Sequence, residues 1–157
     1  MTPDSFALVL TEVNKTAKAI DAVLISRETE IWYAVRDALA ITVGVPFELI
    51  HSDMSLVEDL GLDSLGFGEL FSRLDEHFMI TMRLDRLHDL AVRLANTSED
   101  GRLTTEALSA LRLLLADFTH GRSLEGSLVS DIPDFLTAGA LKRLIAWELA
   151  DSRRKGC

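Results

Sequence analysis

The chain of 157 residues has one cysteine, three prolines and only 6% aromatic residues. A single cysteine, Cys157, excludes an internal disulfide and suits a reducing cytoplasm; no function is assigned to it. So few prolines leave long stretches free to be helical. No apolar run approaches the roughly eighteen residues that a membrane span requires. The apolar stretch after Asp4 has no basic flank, so a secretory signal is not expected. Positive charge is also scarce: 16 Lys and Arg stand against 25 Asp and Glu, for a net charge of −9. That balance argues against nucleic acid or an anionic membrane as the main partner. Residues 27–90 hold thirteen acids, five arginines and no lysine, whereas the last sixty-seven residues balance nine acids with nine bases. Acidity is therefore concentrated in one segment.

Helical period runs through nearly the whole chain. Pro3 suits a first helical position. Phe6, Leu10, Val13, Ala17, Ile20 and Leu24 repeat at four-three spacing, the pattern of a packed seam. Three heptads are marginal for a free coiled coil, so docking on the rest of the chain is expected. Ser26 is placed to cap a second helix, in which Ile31, Val35, Ala38, Leu39 and Thr42 form a stripe that Gly44 and Pro46 stop. A long loop follows, with Phe47, Leu49, Ile50, Met54, Leu56 and Val57 as apolar anchors. Leu65, Leu70, Phe71, Leu74 and Phe78 then mark one face of another helix. Leu84, Leu87, Leu90, Ala91 and Leu94 suggest a further one, ended by residues 96–101. Thr104 and Thr137 are good N-caps, each with an apolar pair that can staple it, Leu103 with Leu108 and Leu136 with Leu141. Leu108, Leu111, Leu114, Leu115 and Phe118 supply an apolar face, residues 121–133 read as loop, and residues 153–155 as a solvated tail. The class is an all-α bundle.

The most informative segment is Asp59-Leu60-Gly61-Leu62-Asp63-Ser64-Leu65, an acidic, glycine-broken loop running into a helix. Asp63 is suited to be the N-cap, its carboxylate accepting from free N–H groups of the first turn. Ser64 then occupies the first helical position with its hydroxyl pointing outward. A phosphate on that oxygen would lie at the positive end of the helix dipole. The segment resembles the phosphopantetheine attachment site of acyl carrier proteins, whose signature has the form D-L-G-x-D-S-L. The similarity continues through Glu69, Leu70, Leu74, Asp75 and Phe78, and is specific over residues 28–82. A weaker similarity to the family's closing helix falls near Leu136–Leu149.

The resemblance implies an acyl-carrier-like four-helix bundle with extra helices. Residues 1–25 would be an N-terminal accessory helix. Residues 26–157 would form the carrier-like domain, with a helical insertion at about 84–133 and a closing helix at about 137–151. It further implies 4'-phosphopantetheine, taken from coenzyme A and attached to Ser64, with Asp63 as cap and motif residue. The arm would hold an acyl group as a thioester, and the chain itself would not be an enzyme. Implied partners are a phosphopantetheinyl transferase and an acyl ligase, synthase or acyltransferase, with Leu65, Glu69, Asp75 and Glu76 as docking residues on a cytoplasmic monomer. Fatty acyl, polyketide, aryl and aminoacyl cargo all stay open. The competing reading is an unmodified, carrier-like helical interaction module. Gly66 and Gly68 depart from the family pattern: each costs the helix about 1 kcal/mol relative to alanine and leaves a flat patch beside Ser64.

Other chemistries fit less well. A G-x-S-x-G nucleophile elbow would need glycine where Leu62 stands, and a preceding strand. His51, His77, His88 and His120 follow no metal-ligand or triad spacing. Residues 96–107 imitate a calcium loop but end in Ala107 rather than a bidentate glutamate. Neither a catalytic residue nor a metal ligand is expected.

Overall fold

The computed structural model describes residues 3–82, 102–115, 127–128 and 131–155. Five α-helices occur among them: α1 (Pro3–Val43), α2 (Ser64–Phe78), α3 (Thr105–Leu115), the short α4 (Ile132–Phe135) and α5 (Ala138–Lys155). Among the described residues the only β pairings are two isolated bridges, Ser55 with Thr137 and Arg102 with Leu128. Among the described residues the molecule is an all-α helical bundle, as expected. The expected helix at Leu84–Leu94, the turn at residues 96–101, and Phe118, His88, His120 and Cys157 lie outside the described residues.

α1 is the organising element. Its 41 residues make a rod about 60 Å long at 1.5 Å per residue. No glycine or proline interrupts the chain between Asp4 and Val43, so nothing forces a break. The break expected at Ser26 is absent. Ser26 Oγ instead donates to the Val23 carbonyl at 3.2 Å, a bond compatible with an uninterrupted helix. The helix continues there because Val23, Leu24, Ile31, Ala34 and Val35 keep one buried stripe running across that point. Gly44, at φ +76°, ends it, donating its N–H to the Ala40 carbonyl.

α5 packs most extensively on α1, followed by α2 and α3, and α3 also packs on α5. One contiguous apolar core results, from Val9 and Val13 on α1 through Leu70 and Leu74 on α2 and Leu111 and Leu114 on α3 to Leu141 and Ile145 on α5. Val13, Ile20 and Leu24 of the N-terminal seam are buried within this chain, while Leu10 and Ala17 are half-buried. Two side chains bind the extra elements to the bundle. Arg143 on α5 donates from Nε to the Leu114 carbonyl at 2.6 Å and from Nη2 to Asp21 Oδ1 at 3.1 Å. Lys142 Nζ donates to Glu28 Oε1 at 3.1 Å. The Arg143 guanidinium thus meets a carbonyl at the C-terminal end of α3, where a cation is favoured. Both caps form: Thr104 Oγ1 accepts from Ala107 N and Thr137 Oγ1 from Ala140 N, each at 3.1 Å.

Two apolar positions differ from expectation. Leu65 is 85% exposed, because five residues separate it from Leu70 and five residues turn a helix by about 140°. Leu49 closes the 3-10 turn Phe47–Leu49 and is exposed, leaving Ile50 and Leu56 as the buried anchors of the loop.

Candidate functional site

The loop that carries the Asp59–Leu65 segment is held from both sides. From α1, Arg36 donates from Nε to the Ile50 carbonyl and from Nη2 to the Phe47 carbonyl, both at 3.1 Å. Its guanidinium also stacks over the Phe47 ring, 4.2 Å from the centroid. From the other side, the segment entering α5 adds three backbone bonds. Leu56 N donates to Leu136 O, Ala138 N to Met54 O and Gly139 N to Ser52 O, at 2.8–3.0 Å. A Cβ at position 139 would sit 3.0 Å from the Ser52 carbonyl oxygen, a tight contact that glycine avoids.

Within the loop, both aspartates of the motif are committed to backbone donors. Asp59 Oδ2 accepts from Ser55 N at 2.7 Å and fixes the turn over residues 55–59. Gly61 then takes φ +71°, and Leu62 N donates back to Leu56 O at 2.9 Å. These bonds seat the Leu62 side chain in the core. The chain leaves Leu62 extended through Asp63 (φ −111°, ψ −174°), whose Oδ1 accepts from Gly66 N at 2.8 Å. Asp63 is the N-cap, and Ser64 the first residue of α2.

Ser64 is exposed, as is Leu65 beside it. With Asp63 Oδ1 on Gly66 N and Asp63 O on Phe67 N, the N–H groups of Ser64 and Leu65 have no protein acceptor among the described residues. An oxygen able to carry a phosphate and two donors able to bind one therefore share one helix end. The dipole there favours negative charge.

The docking residues expected from the sequence fall in different settings. At 3.6 residues per turn, Leu65, Glu69 and Glu76 lie on the side of α2 opposite Leu70, Leu74 and Phe78. Both glutamates are exposed, and Glu69 Oε1 pairs with Arg73 Nη2 at 2.9 Å. Asp75 is half-buried and occupied elsewhere. Its Oδ1 accepts from Met82 N at 2.8 Å and its carbonyl from Ile80 N at 3.1 Å, closing the end of α2 where Met79 turns left-handed at φ 56°. The chain's return to Met82 thus draws Asp75 away from the outward face.

Gly66 and Gly68 also differ from each other. A Cβ on Gly66 would lie 2.7 Å from Leu62 Cδ2 and 3.3 Å from Asp63 Oδ1, so glycine there lets the buried leucine and the cap coexist. Nothing lies within 4 Å of a Cβ on Gly68. Gly68→Ala is expected to stabilise the fold by about 0.5–1 kcal/mol, and Gly66→Ala to give no such gain. Urea unfolding midpoints of the two variants check this contrast.

Leu62 and Arg36 were missed as site-forming residues. An apolar residue at the variable position of the motif was the available signal for Leu62. For Arg36 it was the last cation of α1, one turn after Trp32 and ten residues before Pro46. Among the described residues no cluster of three or more His, Cys, Asp or Glu could hold a metal ion, and no helix is long and apolar enough to cross a membrane.

The match to known families falls on this same stretch. Residues 34–96 match the family model of the phosphopantetheine attachment site. They are a phosphopantetheine-attachment domain of the acyl-carrier-like kind, and such a domain carries a covalently bound 4'-phosphopantetheine prosthetic group. The match covers 63 of the 157 residues; a domain of this kind supports a phosphopantetheine-carrying carrier protein in general, and such carrier domains are not themselves catalytic. No curated protein and no solved structure matches it.

Proposed function

We propose that Ser64 is the attachment residue and that the chain carries an acyl group between enzymes. The observation that supports this is the exposed Ser64 at the first position of α2, next to two N–H donors that have no protein acceptor among the described residues, with Asp63 doing the capping. On this reading a phosphopantetheinyl transferase joins Ser64 Oγ to the pantetheine-side phosphorus of coenzyme A as a phosphodiester, while the pyrophosphate bond breaks, adenosine 3',5'-bisphosphate leaves and the serine proton is lost. When bound, the arm supplies a terminal thiol that holds cargo as a thioester. The chain's own residues orient and present. Asp63 keeps the helix start in place, the Ser64 and Leu65 N–H groups face the phosphate, and Leu62 and Ile50 root the loop in the core. The reading also takes residues 1–25 as an accessory helical segment and residues 26–157 as the carrier unit, acting as a cytoplasmic monomer with an acyl ligase, synthase or acyltransferase.

The test is incubation of the full chain with coenzyme A and a permissive transferase, followed by intact-mass and peptide mapping. One phosphopantetheine on the peptide containing Ser64 is expected. No gain at all would favour the unmodified interaction module.

Leu65, Glu69 and Glu76 form the docking face in this reading, with Asp75 kept for the helix end. Exposed like charges beside a modification site act mainly by steering encounter, over a range of about 10 Å at 0.1 M salt. Glu69→Lys with Glu76→Lys is expected to lower transferase kcat/KM about tenfold at low salt, with the difference shrinking as salt rises. Unchanged kinetics at low salt would remove these residues from docking.

A further inference from the structure

A groove of about 450 Å³ runs between α1 and α2, at the end of α2 away from Ser64. Its floor is small and apolar: Ala34 and Ala38 on α1 are buried, as is Leu74 on α2. Two alanines one turn apart keep the helices' side chains from filling the space. On the α1 side the wall is Tyr33, Asp37 and Ile41, spaced four residues apart and therefore on one face. Tyr33 is 62% exposed and Ile41 52%, large apolar groups left facing water on either side of a carboxylate. The Tyr33 ring packs against Phe47, with centroids 5.1 Å apart.

The charge of this groove has one sign available. On the α2 side, Arg73 already pairs with Glu69, whereas the carboxylates of Asp37 and Glu76 have no ion-pair or hydrogen-bond partner among the described residues. The larger groove, of about 620 Å³ between α1, α3 and α5, differs in this respect. Its two cations, Lys142 and Arg143, are paired with Glu28 and Asp21, which leaves Asp53 as its one carboxylate without an ion-pair partner among the described residues. Exposed aromatic and aliphatic anchors beside unpaired carboxylates call for an occupant that is apolar at its centre and cationic at its margins.

We propose that the α1–α2 groove is a second docking surface, and that its occupant is a basic amphipathic helix of a partner protein. Tyr33 and Ile41 lie about 12 Å apart along α1, the length of two helical turns. A helix laid in the groove meets both with apolar residues about seven or eight apart, and its flanking Lys or Arg reach Asp37 and Glu76. Glu76 is twelve residues past Ser64, about 18 Å along α2. Docking here leaves the Ser64 end open with Leu65 and Glu69, and Glu76 is the one residue shared by the two faces. The surface does not depend on Ser64 being modified.

Two labelled helical peptides with the same leucine row, one with Lys and Arg margins and one with Glu margins, serve as probes against the full chain. The basic peptide is expected to bind and to shift the NMR signals of Tyr33, Ile41 and His77. Ile41→Ala and the pair Asp37→Lys with Glu76→Lys should each weaken binding about tenfold, while Tyr33→Phe retains it. Ser64→Ala should bind unchanged, which separates a failure of this surface from a failure of the attachment assignment. Equal binding of both peptides, shifts centred elsewhere, or affinity indifferent to these substitutions would overturn the proposal. So would dimerisation of the chain alone through Tyr33 and Ile41, since the occupant would then be a second copy.

Discussion

Ser64→Ala is expected to abolish phosphopantetheine loading, giving no mass gain where the wild-type chain gains one group. The argument is local. The transfer needs an exposed nucleophilic oxygen at the start of α2, and alanine removes that oxygen while keeping everything around it. The Ser64 hydroxyl is exposed and has no side-chain hydrogen bond among the described residues, so the variant should melt with the wild type, within about 0.5 kcal/mol. Asp63→Ala separates the two roles at this corner. It deletes the acceptor of the Gly66 N–H and should cost about 0.5–2 kcal/mol, yet leave Ser64 able to be loaded. A mass gain on Ser64→Ala would move the attachment point to another residue.

Leu114→Ala and Leu115→Ala are expected to cost about 2–5 kcal/mol each, a large share of the stability of a domain this size. Both side chains are 1% exposed and lie on α3, which packs on α1 and on α5. Their truncation leaves a cavity that the neighbours cannot collapse to fill, because Arg143 pins the end of α3 through the Leu114 carbonyl. Leu113, 46% exposed on the same helix, is the control, and its change to alanine should cost no more than about 0.5 kcal/mol. Urea unfolding of the three variants, with hydrogen exchange across residues 103–115, decides the matter. Small losses at Leu114 and Leu115, together with rapid exchange, would make α3 a separate lobe rather than part of the core.

What was legible beforehand is what neighbouring residues settle among themselves. The Asp63 cap, the Thr104 and Thr137 caps and the amphipathic face of α2 all rest on contacts spanning three or four residues. Those contacts are set by helix geometry, which residue order reveals. The place of Ser64 at the start of a helix is likewise set locally, by Asp63 and the Gly66 N–H it caps. The same local reasoning failed at Ser26, a cap in isolation but an interior residue once a continuous stripe of Val, Leu and Ile holds the helix together.

The remaining assignments depended on residues beyond the reach of one helical turn, most of them far apart in the chain. Asp75 has the composition of a docking residue, but the chain returns at Met82 and takes its carboxylate. Gly139 reads as an ordinary helix residue until the Ser52 carbonyl comes within reach of its N–H. Arg143 is one base among nine in its segment, and only packing brings it to Asp21 and Leu114. Hydrogen bonds within a turn can be read from spacing because the helix fixes their geometry. Bonds across about a hundred residues form only where burial of the shared core has already brought the helices together.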